Sequence, residues 1–324
     1  RISSRTIPFS TSSSRRVGKG IVREEILESL DERGRVIDPD WLMPELVFGS
    51  HPLGRPISGT PAELDRLTEA LLRAHHELHY VGGGAVLAVA GAVDPEAVLD
   101  LVEQAFAGIK PGAAPFALSA PAAQAAPRAR VVQHRDSQTH LRLALRVPGL
   151  DSASEPAVEV LLRLIDDGMS TRLYRRICDE LGLCYDVGAG VQTFTDCGLL
   201  ELWAETAHER ALEVFTEMVT LIIRLRDEGP TDAELLKLRQ RHGWQTRRLL
   251  DDTSALATHQ AWSLLMGHDS GLDSRHAALC RVTAEEIRAL AGTYLRSAGA
   301  SALAVGELKA KDERRLLELL ASLG

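Results

Sequence analysis

Two parts of the chain repeat the same succession of folding signals, and this repeat constrains the fold more than any other feature of the sequence. The first copy begins with a Thr-x-x-Glu capping box at residues 60–63, and the second begins with one at residues 283–286. Each copy then passes a tyrosine and reaches an apolar run, at residues 84–91 and 301–306. The capping boxes predict helices, and the apolar runs predict buried strands that lead into a further helix. We therefore expect two related domains.

The pattern around these copies predicts a mixture of strands and helices. Strands are predicted at residues 128–134, 138–147, 185–191 and 198–206, and a short turn joins the first two. Periodicity and caps predict helices at residues 20–32, 60–79, 94–106, 155–166, 171–181, 208–226, 231–250, 252–266 and 311–323. Residues 41–48 are typical of a short apolar helix that Pro44 interrupts.

The boundary between the domains is predicted at residues 111–127, a Pro- and Ala-rich stretch without charge from Gly112 to Pro127. Residues 128–324 then form a complete domain, and residues 20–110 form an incomplete copy. Much less chain precedes the first capping box than separates the linker from the second. If the copies are equal in length, the first lacks roughly a hundred residues at its front.

Residues 1–19 differ in composition from the rest of the chain. They contain no acidic side chain and are rich in Ser and Arg, which imitates a mitochondrial transit peptide. The sequence nevertheless begins without Met and runs directly into a predicted core helix. We interpret the segment as a ragged start and expect it to be disordered.

Composition narrows the choice of partners. The net charge of −8 argues against nucleic acid, and no apolar run is long enough to cross a membrane. The four cysteines, Cys178, Cys184, Cys197 and Cys280, form no Cys-x-x-Cys pair. This spacing favours neither a disulfide framework nor a thiolate zinc site, and we expect buried, reduced thiols.

The predicted helix at residues 20–32 carries several carboxylates. Glu25 lies at the border of the apolar face that includes Ile26, whereas Glu24 and Glu28 point further toward water. A carboxylate at the margin of a core caps a helix, pairs with a base or binds a metal. A solvated helix carboxylate is the alternative interpretation.

Three ordered stretches add a specific signal. Residues 22–26 read Val-Arg-Glu-Glu-Ile, and residues 51–59 read His-Pro-Leu-Gly-Arg-Pro-Ile-Ser-Gly. Residues 167–174 and 180–187 contain Gly-Met-Ser-Thr-Arg-Leu-Tyr and Gly-Leu-Cys-Tyr-Asp-Val. Together they resemble sequences of the pitrilysin (insulinase) family of inverted zincins. In order, they are similar to its helix that carries the third zinc ligand, its His-Pro-Leu-Gly-Arg loop and the signature of its second domain.

The resemblance implies a fold and an activity. The fold class is α+β, with two homologous domains of antiparallel-rich sheet covered by helices, which form half of a clam shell. The activity is that of a zinc metalloendopeptidase that cleaves peptides or unfolded segments, with Glu25 as a metal ligand. The peptide substrate would be enclosed with a second peptidase-like half or in a homodimer.

The zinc-binding helix of the family is missing from the sequence. Neither His-x-x-Glu-His nor His-Glu-x-x-His occurs, and residues 75–79, His-His-Glu-Leu-His, are one residue short of the zincin spacing. Such chemistry needs three protein ligands, an open position and a base, whereas this chain offers Glu25 alone. We therefore expect zinc in the intact protein, none bound by this chain, and no catalysis by this chain alone. The enzymatic assignment stays open.

The second domain offers a candidate substrate site. The resemblance implies an Arg and a Tyr, seven residues apart, that grip the substrate backbone. Tyr185 fits the Tyr position, whereas Cys178 occupies the Arg position and Arg176 lies nearby. We predict Tyr185 and Arg176 as substrate-binding residues; alternatively, Tyr185 only starts a strand and packs.

A second function from another class also fits the sequence. The chain could be a non-catalytic partner subunit or a peptide-binding scaffold of the same family. A His-x-x-Glu-His motif upstream in the gene favours the enzyme, and a complete upstream domain without it favours the scaffold. The sequence leaves open the substrate, the partner and the compartment, bacterial cytoplasm or periplasm.

Overall fold

A computed structural model describes residues 12–113, 118–267 and 271–324. The α-helices of this part of the chain are α1 (Ser12–Glu28), α2 (Pro39–Phe48), α3 (Pro61–Arg66), α4 (Glu69–His79), α5 (Pro95–Phe106), α6 (Glu155–Ile165), α7 (Arg172–Tyr174), α8 (Ala211–Glu228), α9 (Asp232–Leu250), α10 (Thr253–Leu265), α11 (Leu272–Arg281), α12 (Ala284–Tyr294) and α13 (Ala310–Ala321). A π-helical turn, Arg175–Glu180, continues α7. The strands are β1 (Arg128–Gln133), β2 (Thr139–Val147), β3 (Asp186–Thr193), β4 (Gly198–Thr206) and β5 (Ala300–Gly306).

The five strands form one sheet in the order β1-β5-β2-β4-β3. β1 pairs with β5 in parallel, and the other three neighbouring pairs are antiparallel. An antiparallel-rich sheet with helices packed on it confirms the predicted α+β class. The short turn between β1 and β2 does not make a hairpin, because β5 lies between these two strands.

β5 holds the central place in the sheet because its sequence is apolar on both faces. All of its residues are buried. Alternation sends Ala302 and Ala304 toward the main helical layer, and Leu303 and Val305 toward α2. The strand therefore requires a covering layer on each side of the sheet.

Helices α6, α8, α12 and α13 pack on one face of the sheet and enclose the larger core. Its buried members include Leu143, Leu164, Leu202, Phe215, Ile287 and Leu316. On the other face, α2 contributes Leu42, Met43, Val47 and Phe48 to a smaller core. α2 is a continuous helix through Pro44, whereas the sequence predicted an interruption there.

The first copy of the repeat is packed very differently. α4 and α5 bury none of their residues. Residues 84–91, predicted as a buried strand, belong to no strand, and Leu87 is 54% exposed. The prediction was wrong because a strand needs a hydrogen-bonded neighbour. In the described part of the chain, only an isolated bridge between Gly83 and Ala113 adjoins this segment.

The helices depart from the predicted ones in other places as well. The helix predicted over residues 60–79 is divided into α3 and α4, because Thr68 starts the second helix by accepting a hydrogen bond from the Leu71 N–H. α1 begins at Ser12 rather than at residue 20. Of the predicted disordered segment 1–19, residues 1–11 lie outside the described residues. Helix α11 was not predicted.

The sheet and its larger core are built from residues within 128–324, together with α2 on the opposite face. The predicted division into an incomplete domain, residues 20–110, a linker, residues 111–127, and a complete domain stays a prediction. Part of that linker, residues 114–117, lies outside the described residues.

A buried carboxylate lies on the face of the sheet that α2 covers. Glu201 on β4 is 12% exposed, and its Oε1 lies 3.5 Å from Arg142 Nη1. Arg142 instead donates a 2.8 Å hydrogen bond to Asp40 on α2. Burial raises the pKa of Glu201 to about 7, although the Arg142 charge acts in the opposite direction.

We expect Glu201→Gln to raise the free energy of unfolding at pH 8 by about 1–3 kcal/mol. A carboxyl whose native pKa exceeds its ordinary 4.5 contributes stability below pH 4.5 and loses it as the pH rises through about 7. The amide cannot ionise, so the gain should vanish near pH 4.5. Urea unfolding at both pH values measures the difference.

Glu205→Gln is the matched control, because Glu205 lies on the same strand and is 53% exposed. It should change the free energy of unfolding by less than about 0.5 kcal/mol. A Glu201→Gln protein that is less stable than wild type at pH 8 would contradict the assignment of a buried, destabilising charge.

Candidate functional site

The candidate substrate residue Tyr185 stands just before the edge strand of the sheet. β3 begins at Asp186 and pairs with β4 along one side only. The Tyr185 side chain is 93% exposed. It therefore does not pack against the core, and the alternative interpretation of a packed strand residue does not describe its environment.

The chain before Tyr185 is fixed by a short, well-buried turn. Leu173 and Ile177 are fully buried, and the Leu183 N–H donates to the Ile177 carbonyl at 3.0 Å. Gly182 ends the turn with φ of 58°, a left-handed conformation that favours glycine. These buried residues hold the turn against the core, whereas Tyr185 after the turn faces solvent.

Arg176 lies on the same turn but is already engaged. Its Nε donates to Glu217 Oε2 at 2.9 Å, and its Nη1 donates to Glu180 Oε2 at 3.3 Å. These hydrogen bonds, to Glu217 first, raise the pKa of Arg176. Arg176 is half-exposed, so only the guanidinium N–H groups that Glu217 and Glu180 do not engage are available to a ligand.

The edge of β3 is protected in its middle, and at its start the exposed Asp186 is followed by the buried Val187 and Gly188. Ala189 donates its backbone N–H to Asp166 Oδ2 at 3.0 Å. A carboxylate in this position stops another strand from pairing there, as acidic side chains often do at sheet edges.

The predicted zinc ligand, Glu25, belongs to no group of three metal-binding side chains among the described residues. Glu24, Glu25 and Glu28 are all exposed on α1, while Ile26 between them is buried. Burial therefore does not distinguish Glu25 from its neighbours, and its role as a ligand stays a prediction. Among the described residues, no three His, Cys, Asp or Glu side chains could hold a metal ion. These donors do not fit zinc, and we derive no step through it.

The histidines of α4 do not form a metal site either. His75 and His79 share a face, with ring centroids 4.2 Å apart, as their spacing predicted. The ring of His76 instead stacks on Tyr80 at 4.6 Å. All of these side chains are on a helix that buries no residue.

The structure brings together two histidines that are far apart in the sequence. His242 on α9 is buried, and its Nδ1 lies 2.7 Å from His276 Nδ1 on α11. Burial lowers the pKa of His242 to about 4, so the ring is neutral at pH 7. The sequence could not show this pair, because it depends on the packing of an unpredicted helix.

A cleft of about 690 Å³ opens beside this pair, between α6, α9, α10 and α11. Its carboxylates already have partners. Arg275 donates to Glu155 Oε1 at 2.6 Å and also binds Glu159, which receives a 3.0 Å hydrogen bond from Arg163. This arrangement ties α11 to α6 and engages both Glu155 and Glu159 with arginines.

The helices of the described residues include none that is both long enough and apolar enough to cross a membrane.

Comparison with known proteins identifies the family. Residues 66–241 match the family model described as the peptidase M16 inactive domain. A protein of Streptomyces coelicolor named as an uncharacterized zinc protease is 30% identical over 314 residues, which cover 94% of this chain and 67% of that protein. A similarly named protein of Mycobacterium bovis is 28% identical over 292 residues, covering 87% of this chain and 66% of the relative. The chain thus spans about two thirds of these relatives.

Solved structures share the fold at low sequence identity. A peptidase M16 inactive domain from Pseudomonas fluorescens superposes with a TM-score of 0.84 at 19% identity, covering 94% of this chain and 73% of that one. A protease from Helicobacter pylori gives 0.80 at 19% identity, covering 91% and 72%. A chain of complex III2 from Candida albicans gives 0.76 at 16% identity, covering 93% and 74%. The sequence matches and this shared fold place the chain in the peptidase M16, or pitrilysin, family.

Proposed function

We propose that this chain is a peptide-holding, non-catalytic part of an M16 zinc metalloendopeptidase. The observation that carries the proposal is the exposed Tyr185 immediately before an edge strand. A phenol there can cover the backbone of an extended peptide and exchange hydrogen bonds with it. Family membership and the match to the inactive domain support the same role.

Arg176 has a secondary place in this proposal. Its guanidinium can donate remaining N–H groups to peptide carbonyls while Glu217 and Glu180 hold its orientation. Because those carboxylates restrict its reach, Tyr185 should contribute more to binding than Arg176. Main-chain contacts favour peptides or unfolded segments over folded proteins.

We expect Tyr185→Ala to weaken the binding of an unstructured, fluorescently labelled peptide by about five- to thirtyfold, the loss typical of an exposed aromatic anchor. Fluorescence anisotropy measures the Kd. Tyr80→Ala is the matched control, since Tyr80 is also well exposed, at 66%, but lies after α4. Equal Kd values for wild type and Tyr185→Ala would overturn the proposed site.

The purified 324-residue chain, supplied with zinc, should leave the same peptide uncleaved. Its sequence holds no His-x-x-Glu-His helix, and so lacks that motif's two ligands and its base. Mass spectrometry of the peptide after incubation tests this expectation, with a thermolysin-type peptidase as the positive control. Cleavage by the chain that a chelator abolishes would contradict it.

Glu25 has a proposed role only in a longer chain that also carries a His-x-x-Glu-His helix. In such a protein, Glu25→Gln should lower zinc affinity at least tenfold, because it removes a ligand. Glu28→Gln is the matched control, since Glu28 is exposed on the same helix. Metal content after dialysis measures both variants; loss of zinc from Glu28→Gln alone would move the ligand assignment by three residues.

A second candidate function is supported by the exposed side chains of α4, residues 84–91 and α5. These three segments expose large apolar residues: Leu71, Leu72, Leu78, Val86, Leu87, Val89, Leu99, Leu101 and Phe106. Apolar surface of this extent favours contact with another polypeptide. We propose that a second peptidase-like half or a second copy of this chain covers these apolar side chains. Peptide binding without cleavage by the resulting complex would favour a scaffold over an enzyme.

A further inference from the structure

We propose that Cys178 and Cys184 form a thiol–disulfide exchange site, which reacts with a low-molecular-weight disulfide and closes a reversible bond beside Tyr185. Neither thiol is buried as the sequence predicted: both are half-exposed, whereas Cys197 is buried. Cys280 is half-exposed too, but its Sγ contacts the His276 ring at 3.6 Å rather than another thiol.

The two sulfur atoms are already neighbours. Cys178 Sγ lies 3.9 Å from Cys184 Sγ and 3.9 Å from the carbonyl oxygen of Tyr185. A disulfide bond is about 2.0 Å long, so closure needs a movement of about 2 Å. Rotation about the two Cα–Cβ bonds can provide much of this movement.

The backbone around the pair can supply the rest. Cys178 belongs to the π-helical turn Arg175–Glu180, and such turns are frequent at functional sites. Cys184 lies between this turn and β3, after Gly182, and belongs to neither a helix nor a strand. The Cys184 backbone is therefore not fixed by a ladder of hydrogen bonds.

The reaction proceeds by two exchanges. One Cys loses its proton, and its thiolate attacks a sulfur of oxidised glutathione, which releases one glutathione thiolate that takes up a proton. The second Cys then attacks the mixed disulfide and releases the second glutathione. The chain loses two hydrogen atoms, and the small disulfide is reduced to two thiols.

The pKa values of the two thiols set the speed of this exchange. Burial raises the pKa of both thiols, and the carboxylate of Asp186 adds to the effect; the pKa of Cys184 reaches about 12. Few thiolates are present at neutral pH, so exchange should accelerate roughly tenfold for each pH unit. The same environment does not stabilise the reduced thiolates, which favours persistence of the disulfide once it has formed.

The disulfide would tie the turn to the residue immediately before Tyr185. It would thereby restrict the backbone that presents the phenol at the edge of β3. A change in peptide affinity on oxidation rests on the proposed function of Tyr185, whereas formation of the disulfide does not. The two can therefore be tested separately.

The test uses the full chain, oxidised glutathione at pH 7.0 and pH 8.5, and alkylation of the remaining thiols. Digestion after Glu180 cuts the chain between the two cysteines, so their peptides stay joined only if the disulfide is present. We expect this joined pair in wild type, about thirtyfold faster at pH 8.5, with Cys197 and Cys280 outside any internal disulfide. Reduction should separate the peptides.

Cys178→Ser and Cys184→Ser should each leave glutathione attached to the remaining cysteine. Circular dichroism checks that these variants fold, and the wild-type digest needs no variant. A stable glutathione adduct on wild-type Cys178 or Cys184 without the internal bond would overturn the proposal. So would a disulfide from either cysteine to Cys197 or Cys280. If the bond forms but peptide affinity is unchanged, only its link to peptide binding fails.

Discussion

The sheet depends on the pairing of β5 with a strand on each of its edges. β1 and β2 satisfy its backbone groups, and this allows an apolar strand to be buried along its whole length. Its two apolar faces then require cover, which the main helical layer and α2 provide. The rest of the fold within residues 128–324 is arranged around this requirement.

Residues 84–91 show how an apolar segment similar to β5 behaves without partner strands. Their apolar pattern matches that of β5, and a capped helix precedes both segments. Yet residues 84–91 are largely exposed and outside any ladder in the described chain. A strand prediction is therefore conditional on the presence of partner strands, which the pattern itself cannot supply. The exposed apolar side chains that result are the physical reason to propose another polypeptide on this surface.

Sequence analysis succeeded where a few neighbouring residues decide the structure. The Thr231 and Thr283 capping boxes start α9 and α12 as predicted, and β4 has its predicted bounds. It could not find the His242–His276 contact or the burial of Glu201, since both depend on which helix covers which part of the sheet. The family resemblance pointed to Tyr185 as a candidate residue, but only the structure shows that its phenol is exposed just before an edge strand.

The geometry of the turn before Tyr185 limits what Arg176 can replace. Arg176 and Cys178 are two residues apart in the π-helical turn, and their side chains reach different partners. Arg176 accordingly reaches Glu217 on α8, whereas the Cys178 thiol meets the Tyr185 carbonyl. The position at which the family resemblance implies an arginine is thus occupied by an uncharged thiol, and Arg176 points elsewhere. In the proposed site, peptide binding would depend more on Tyr185 than on a cation.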